Sequence, residues 1–166
     1  MLLKTSDKTH LFNLELVSKD DLRIEAVGSI DEANAYIGLA KTKIDDERLR
    51  KILHDVQVNM FRAGSQVVGG DEKITKADLE ELLEIVRRME GEVEFPRSFI
   101  ILERDEVSAV LSVARSVVRR AERRVVSLYR NGLVDYTLVE WLNKLSYLLY
   151  LMILAVQKGE YEPVEL

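Results

Sequence analysis

Five arginines fall within eleven residues between Ala114 and Arg124, in the order Ala-Arg-Ser-Val-Val-Arg-Arg-Ala-Glu-Arg-Arg. Guanidinium suits phosphate because its planar fork donates parallel hydrogen bonds and keeps its charge when water is withdrawn. At about 100° per residue on a helix, Arg115, Arg119, Glu122 and Arg123 fall within roughly a quarter turn of one another, beside the apolar stripe. Arg120 and Arg124 turn away toward solvent. Two readings are open. One is a solvated face laced with i,i+4 ion pairs, the ordinary fate of a charged helix. The other is an anion site in which Glu122 orients two guanidiniums or holds a metal ion near the phosphates.

Asp31 lies in the first turn of a helix expected to open at Ser29 and off its apolar stripe. It either complements the helix dipole or pairs with an arginine and fixes it. Asn34 is nearer the apolar face, where a buried amide must find partners, as a member of a structural network or as a ligand contact. Thr5-Ser-Asp-Lys-Thr9 offers hydroxyls, a carboxylate and an ammonium in five residues. That set suits a phosphate with Mg²⁺, but without glycine it is not a P-loop. His10 reads as a loop residue and His54 as a helix residue at the core edge. Asp7 and Lys51 stand three places before them, so neither forms the Glu-x-x-His pair of a di-iron bundle. With no cysteine and two histidines in 166 residues, thiolate nucleophiles, cysteine zinc sites and His-based triads lack material.

The elements that must position these groups are helical. Gly numbers 8 and Pro only 2 while 32% of residues are charged, a balance that favours long helices over many-turned sheets. The net charge of −5, from 24 Lys and Arg against 29 Asp and Glu, argues against nucleic acid as the main partner. Met1 to Lys8 has no apolar secretory region. The longest apolar stretch, Tyr147 to Val156, reaches about half of the ~20 residues a membrane helix needs. A cytoplasmic protein with no membrane or nucleic-acid partner is expected.

The spacing predicts an all-α, five-helix bundle in one domain over 1–166: an arm over 1–23, the bundle over 24–158 and a short polar tail over 159–166. Ser29-Ile-Asp-Glu32 fits a capping box, although the first helix could begin as early as Ile24. The second opens at Asp45 or Asp46 and ends at Gly69-Gly70. Thr75 to Asp78 forms another capping box for a third helix that stops at Gly91. Residues 92–103 read as a loop with an apolar plug, Phe99-Ile-Ile-Leu102. The fourth helix runs from about Asp105 to Arg130, with Asn131-Gly132 as its stop. The fifth runs from about Thr137 to Lys158. Leu151 and Leu154 fall off its main stripe, which predicts an end that is apolar all round and covered by an oligomer interface.

Over nearly its whole length the chain resembles the PduO-type ATP:cob(I)alamin adenosyltransferases. The residues that carry the likeness are Lys19-Asp-Asp-Leu-Arg-Ile-Glu-Ala-Val-Gly28, Asp31-Glu-Ala-Asn34, Ile37-Gly-Leu-Ala40, Phe99-Ile100, the Ala114 to Arg124 block and Leu142-Asn-Lys-Leu-Ser146. The resemblance implies a cobalamin adenosyltransferase-like (ferritin-like) bundle forming a homotrimer, with one site at each subunit interface. There the 5′-deoxyadenosyl group of ATP, bound with Mg²⁺, would pass to the cobalt of cob(I)alamin, giving adenosylcobalamin and triphosphate, with an adenosylcobalamin-dependent enzyme as acceptor. It further implies that Arg119 and Arg123 hold the triphosphate, supported by Glu122, with Arg115 nearby. Asp31 would pair with an arginine of the block across the site. Asn34 and Asn143 would contact nucleotide or order the site, and Phe99 would lie against the corrin and help keep its lower axial position empty. Thr5, Asp7, Lys8 and Lys19 would belong to the segment that wraps ATP.

Three stretches depart from the family pattern. Ser6 and Thr9 stand where the ATP loop has glycines, and Leu11 where it ends in threonine. Leu102-Glu103-Arg104 replaces Pro-Gly-Gly, and Tyr147 replaces an aspartate. The rival expectations are a relative that kept the bundle but lost productive catalysis, serving as a nucleotide- or corrinoid-binding or scaffold protein, and an interaction module whose arginines only form ion pairs.

Overall fold

The computed structural model describes residues 6–165. Its first helix, α1 (Leu22–Lys43), takes the earlier of the two starts. Asp21 caps it by accepting from the Arg23 N–H at 2.8 Å, and the Arg23 guanidinium braces that carboxylate while also reaching Glu15 at 2.9 Å. The Ser29 capping box is therefore corrected. Ser29 is buried inside the helix, and its hydroxyl donates to the Glu25 carbonyl one turn back, as serine does in a helix interior.

The other starts are chemical ones. In α2 (Glu47–Val67) the Asp46 carboxylate accepts from the N–H groups of Arg48 and Leu49. In α3 (Lys76–Glu90) Thr75 and Asp78 cap each other reciprocally. In α4 (Glu106–Arg130) Asp105 and Ser108 do the same. Each removes orphan N–H groups at a helix start, worth roughly 1 kcal/mol apiece. Gly69 and Gly132, at φ 78° and 71°, turn the chain out of α2 and α4 through the left-handed region.

Helix α1 packs against α2 on one side and α4 on the other, α4 against α5 (Tyr136–Gln157), and α5 against α3. Helix α5 is apolar and long enough to cross a membrane by length and composition. Its apolar faces are nonetheless consumed inside this chain. Leu151 and Leu154 are 0% and 1% exposed, so the expectation that they face an oligomer interface is overturned. Neighbouring helices cover them, and Gln157 ties the end of α5 to the 92–102 loop by donating to the Leu102 carbonyl at 2.6 Å.

Two short antiparallel ribbons complete the architecture. Within the expected arm, β1 (Lys8–His10) pairs with β2 (Leu16–Ser18), burying Leu11 and Val17. The Phe12 N–H donates to the carbonyl of Val68 at 3.3 Å, fastening the ribbon's tip to the end of α2. At the other end of the chain, β3 (Ile100–Ile101) pairs with β4 (Glu162–Pro163). The apolar plug is corrected in part with it: Leu102 packs against the core, but Phe99 is 74% exposed and Ile101 39%, because backbone pairing with the tail holds that part of the stretch.

If Leu151 belongs to the core of one chain, Leu151→Ala should cost about 2–5 kcal/mol of unfolding free energy and leave the oligomeric mass unchanged. Chemical denaturation beside sedimentation velocity checks this. A change in mass without loss of stability would return the residue to an interface.

Candidate active site

The arginine block is divided by the rotation of α4. Arg120 and Arg124, expected to face solvent, instead form ion pairs with Glu32 and Glu25 of α1. This corrects their placement and gives the ion-pair reading two of the five arginines. Among the described residues, Arg115, Arg119 and Arg123 have no carboxylate in ion-pair contact. Arg115 and Arg119 open onto a cleft of about 490 Å³ between α4 and α5, lined also by Asn143, Lys144, Ser146, Tyr147 and Tyr150.

Inside that cleft the Arg115 guanidinium lies over the Tyr150 ring at 5.8 Å, and Tyr150 stacks on Tyr147 with ring centres 6.4 Å apart. Burial, and then the neighbouring Arg119 charge, push the Arg115 pKa below its usual value, although a guanidinium this basic stays charged. Glu122 does not pair with the arginines beside it. It accepts from the Asn143 amide at 3.0 Å, tying α4 to α5. Glu103, at the site of the lost Pro-Gly-Gly, accepts from the Ser112 hydroxyl one turn before Arg115. The cleft thus gathers three cations and two phenols on its walls, a surface suited to a polyanion.

Asp31 lies elsewhere. It opens onto a groove of about 1070 Å³ between α1 and α2, with Val27, Val58 and Phe61 on its walls, the ribbon tip at Phe12 and Asn13, and Gly69 and Gly70 at the end of α2. Burial raises its pKa. The side chain itself stays open to the groove, and among the described residues no cation is in ion-pair contact with it. The one arginine of this groove, Arg62, is already bound to Asp78 at 2.8 Å and reaches Glu72 at 3.9 Å. One turn beyond Asp31, the buried Asn34 Oδ1 has no hydrogen-bond partner, although the Asn34 carbonyl accepts from Gln57 at 3.2 Å. Gly38 lets Gln57 come this close, since a Cβ there would stand 2.8 Å from Nε2.

Within one chain these candidates do not converge. The groove and the cleft share no lining residue, so Asp31 and the arginine row face different directions. Asp7, Lys8 and Lys19 sit exposed at the open end of the first ribbon, where the Lys19 N–H donates to the Asp7 carbonyl at 2.8 Å, opposite the tip that lines the groove. Phe99 stands on the second ribbon and lines neither cavity. Thr5 lies outside the described residues. Sequence reasoning missed Tyr150 and Phe61. The i,i+3 spacing of Tyr147 and Tyr150 beside Asn143 was the available signal for the first; an aromatic on a stripe-bearing helix gave none for the second.

The fold is thus a helical bundle that carries an arginine cleft on one face and a carboxylate-bearing groove on another. The chain belongs to the cobalamin adenosyltransferase family, whose model matches residues 3–156. It is 33% identical over 161 residues to the corrinoid adenosyltransferase PduO of Salmonella typhimurium, covering 93% of this chain and 48% of that protein. The corrinoid adenosyltransferase of Bacillus subtilis is 32% identical over 136 residues, covering 77% and 70%. The chain thus spans about half the length of the Salmonella relative. In fold it matches a variant of a PduO-type ATP:corrinoid adenosyltransferase from Lactobacillus reuteri, solved with cobalamin and ATP. The TM-score is 0.88 at 22% identity, covering 96% of this chain and 95% of that one.

Tyr147 gives a test of the cleft wall. Burial, together with its hydrogen bond to Glu90 at 2.8 Å and that residue's charge, pushes its pKa from 10 up to about 12. A group whose pKa is raised by folding contributes stability that is complete below its unfolded value and lost as pH rises through the folded one. Wild type should therefore lose more stability than Tyr147→Phe between pH 10 and about 12. Urea titrations across that range measure it; parallel curves would detach the hydroxyl from Glu90.

Proposed function

We propose that the chain is an ATP:corrinoid adenosyltransferase, working as a cytoplasmic homotrimer whose sites form between copies. The observation that carries this is the pair of incomplete halves: Asp31 on the wall of one groove with no ion-pair partner among the described residues, and an arginine row on another face without a carboxylate. A heterologous contact that closes on itself sets one face of each copy against the other face of the next. The groove face of one subunit then meets the cleft face of its neighbour. Asp31 receives a guanidinium, and Phe12 and Phe61, each 71% exposed, are covered. Membership in the family and relatives named corrinoid adenosyltransferases support the activity.

The reduced corrinoid and ATP are the substrates. The Co(I) electron pair forms a bond to the 5′ carbon of ATP while the carbon–oxygen bond to the triphosphate breaks. Triphosphate departs with that bond's electrons, cobalt becomes formally Co(III), and no proton moves. The protein therefore needs no base and no covalent nucleophile. Its work is alignment of the 5′ carbon and stabilisation of charge on the leaving group. Arg119 and Arg123 hold the triphosphate, with Arg115 beside them. Glu122 and Asn143 keep that wall of the cleft in register, and Asp31 fixes an arginine of the neighbouring copy. Asn34, one turn beyond Asp31, orders the α1 wall of the site through its carbonyl's bond from Gln57. The open end of the first ribbon, with Asp7, Lys8 and Lys19, closes over ATP, Thr5 offers its hydroxyl to the nucleotide, and Mg²⁺ travels with the phosphates. Phe99 lies against the corrin and disfavours a lower axial ligand. The product passes to an adenosylcobalamin-dependent enzyme.

Anaerobic mixing with ATP, Mg²⁺ and cob(I)alamin should convert the cob(I)alamin spectrum to that of adenosylcobalamin, and Arg119→Ala should lower kcat by about 10²–10³ without unfolding the chain. Asp31→Asn should be similarly impaired. Assemblies formed by refolding equal amounts of these two variants together should recover up to about one quarter of wild-type sites, since each site takes Asp31 from one copy and arginines from another. Mixed assemblies as inert as either parent would overturn the shared site.

A further inference from the structure

The segment after α5 is short and polar, yet it is tied to the Phe99 loop at several points. Gln157, the last residue of α5, donates from Nε2 to the Leu102 carbonyl at 2.6 Å. Gly159 turns the chain at φ 80° and lies so close to Glu94 that a Cβ would stand 2.9 Å from its carboxylate. The Tyr161 hydroxyl donates to the Glu94 carbonyl. Strand β4 pairs with β3, setting Ile100 opposite Pro163 and Ile101 opposite Glu162, and the Val164 N–H donates to the Phe99 carbonyl at 2.8 Å. Residues 157–164 thus bridge both arms of the 92–102 loop.

Among the described residues β3 has no other strand partner. A two-stranded ribbon is marginal by itself, so the order of β3 depends on the contacts that anchor β4: the Gln157 amide, the Gly159 turn and the Tyr161 hydroxyl. The consequence falls on Phe99. Its main chain is fixed through its carbonyl while its ring is 74% exposed, the arrangement of a side chain presented outward and not of one packed into a core. The strap lies beyond residue 156, where the match to the family model ends.

We propose that residues 157–164 form a strap that presents Phe99 to the corrinoid, with Gln157, Tyr161 and Val164 as positioning residues. This rests on the adenosyltransferase function above. Val164→Pro removes the donor to Phe99 and little else, because residue 164 follows a proline in extended chain. Val164→Ala keeps the donor and serves as the conservative control. A chain ending at Glu160 removes β4 and the tyrosine together.

Two measurements test the strap in the unaltered chain and these variants. The first is amide hydrogen exchange over residues 95–102 with no ligand present. The second is titration with cob(II)alamin in the presence of ATP, read by the absorption change that accompanies loss of the lower axial ligand. Val164→Pro and the shortened chain should speed exchange in that segment alone, leave α4, α5 and ATP affinity unchanged, and weaken cob(II)alamin binding about fivefold, the effect of one hydrogen bond. Val164→Ala should match wild type. A merely structural role would instead lower Tm and weaken ATP and cob(II)alamin alike, and would overturn the proposal. So would exchange over 95–102 that ignores the strap, whatever the ligands do. If the strap protects the loop but wild type does not bind cob(II)alamin, the corrinoid function fails and the presentation role with it, while the exchange data identify which of the two was wrong.

Discussion

The rotation of α4 about its own axis is the constraint on which the site depends. Its buried stripe, with Leu111, Ala114, Val118, Ala121, Val125 and Leu128, is completely enclosed. Small residues recur at sevens along it, Ala114 and Ala121, and along α1, Ala26, Ala33 and Ala40, all without exposure. Surface ion pairs such as Arg120–Glu32 and Arg124–Glu25 are worth about 0–1 kcal/mol, whereas each large apolar side chain buried contributes roughly 1.5–3 kcal/mol. The stripe therefore sets the rotation and the ion pairs follow from it. Once α1 claims Arg120 and Arg124, helical geometry leaves Arg115 and Arg119 open to the cleft beside α5, with Arg123 one turn on, exposed and outside that cleft.

The same rotation explains the divided charges. Helix α1 shows Glu25 and Glu32 to α4, and Asp31, about 100° around from Glu32, then points toward α2 and away from α4. A single chain cannot bring Asp31 to the arginine row without unwinding its best-packed seam. The apolar core thus fixes two charged surfaces that face apart within one chain. Helix α5 takes no part in that logic. Its apolar ends are satisfied within the chain, so the case for assembly rests on charge and on the aromatic walls of the Asp31 groove, not on greasy helix ends.

Where local chemistry decided an element, it was legible in the sequence. Asp46, Thr75 with Asp78, and Asp105 mark helix starts because a side-chain acceptor close to the orphan N–H groups acts within one turn. The stripes of α2 and α4 and the stops at Gly69 and Gly132 were equally plain. Errors arose where a partner distant in sequence settled the matter. Ser29 has the right neighbours for a cap, but Asp21 with Arg23 and Glu15 outcompetes it. Leu151 and Leu154 lie off a two-dimensional stripe, yet α5 is covered on more than one side by elements that no periodicity in α5 announces. Arg120 and Arg124 looked solvated because their acids are 88 and 99 residues away. Of the site itself, residue types were readable and their grouping was not. The division into an Asp31 groove and an arginine cleft appears only once the helices are placed.

The departures from the family pattern acquire a physical meaning in the same way. Glycine is required where backbone must enter the left-handed region or where a neighbour leaves no room for Cβ. Thr9 is in neither position. It sits in β1 opposite Val17, in extended backbone that suits a β-branched residue. The left-handed turn of this ribbon falls instead at Leu14, with φ 66°, where the Leu14 N–H donates to the Leu11 carbonyl at 3.0 Å. The arm is therefore a paired ribbon with its tip fixed to the end of α2. A nucleotide enclosed by this arm would be met by its open end, at Asp7, Lys8 and Lys19, and by side chains more than by bare backbone amides. Side-chain ammonium groups hold phosphate as mobile point charges. The arginine cleft must then supply most of the geometric precision that a glycine loop would otherwise share.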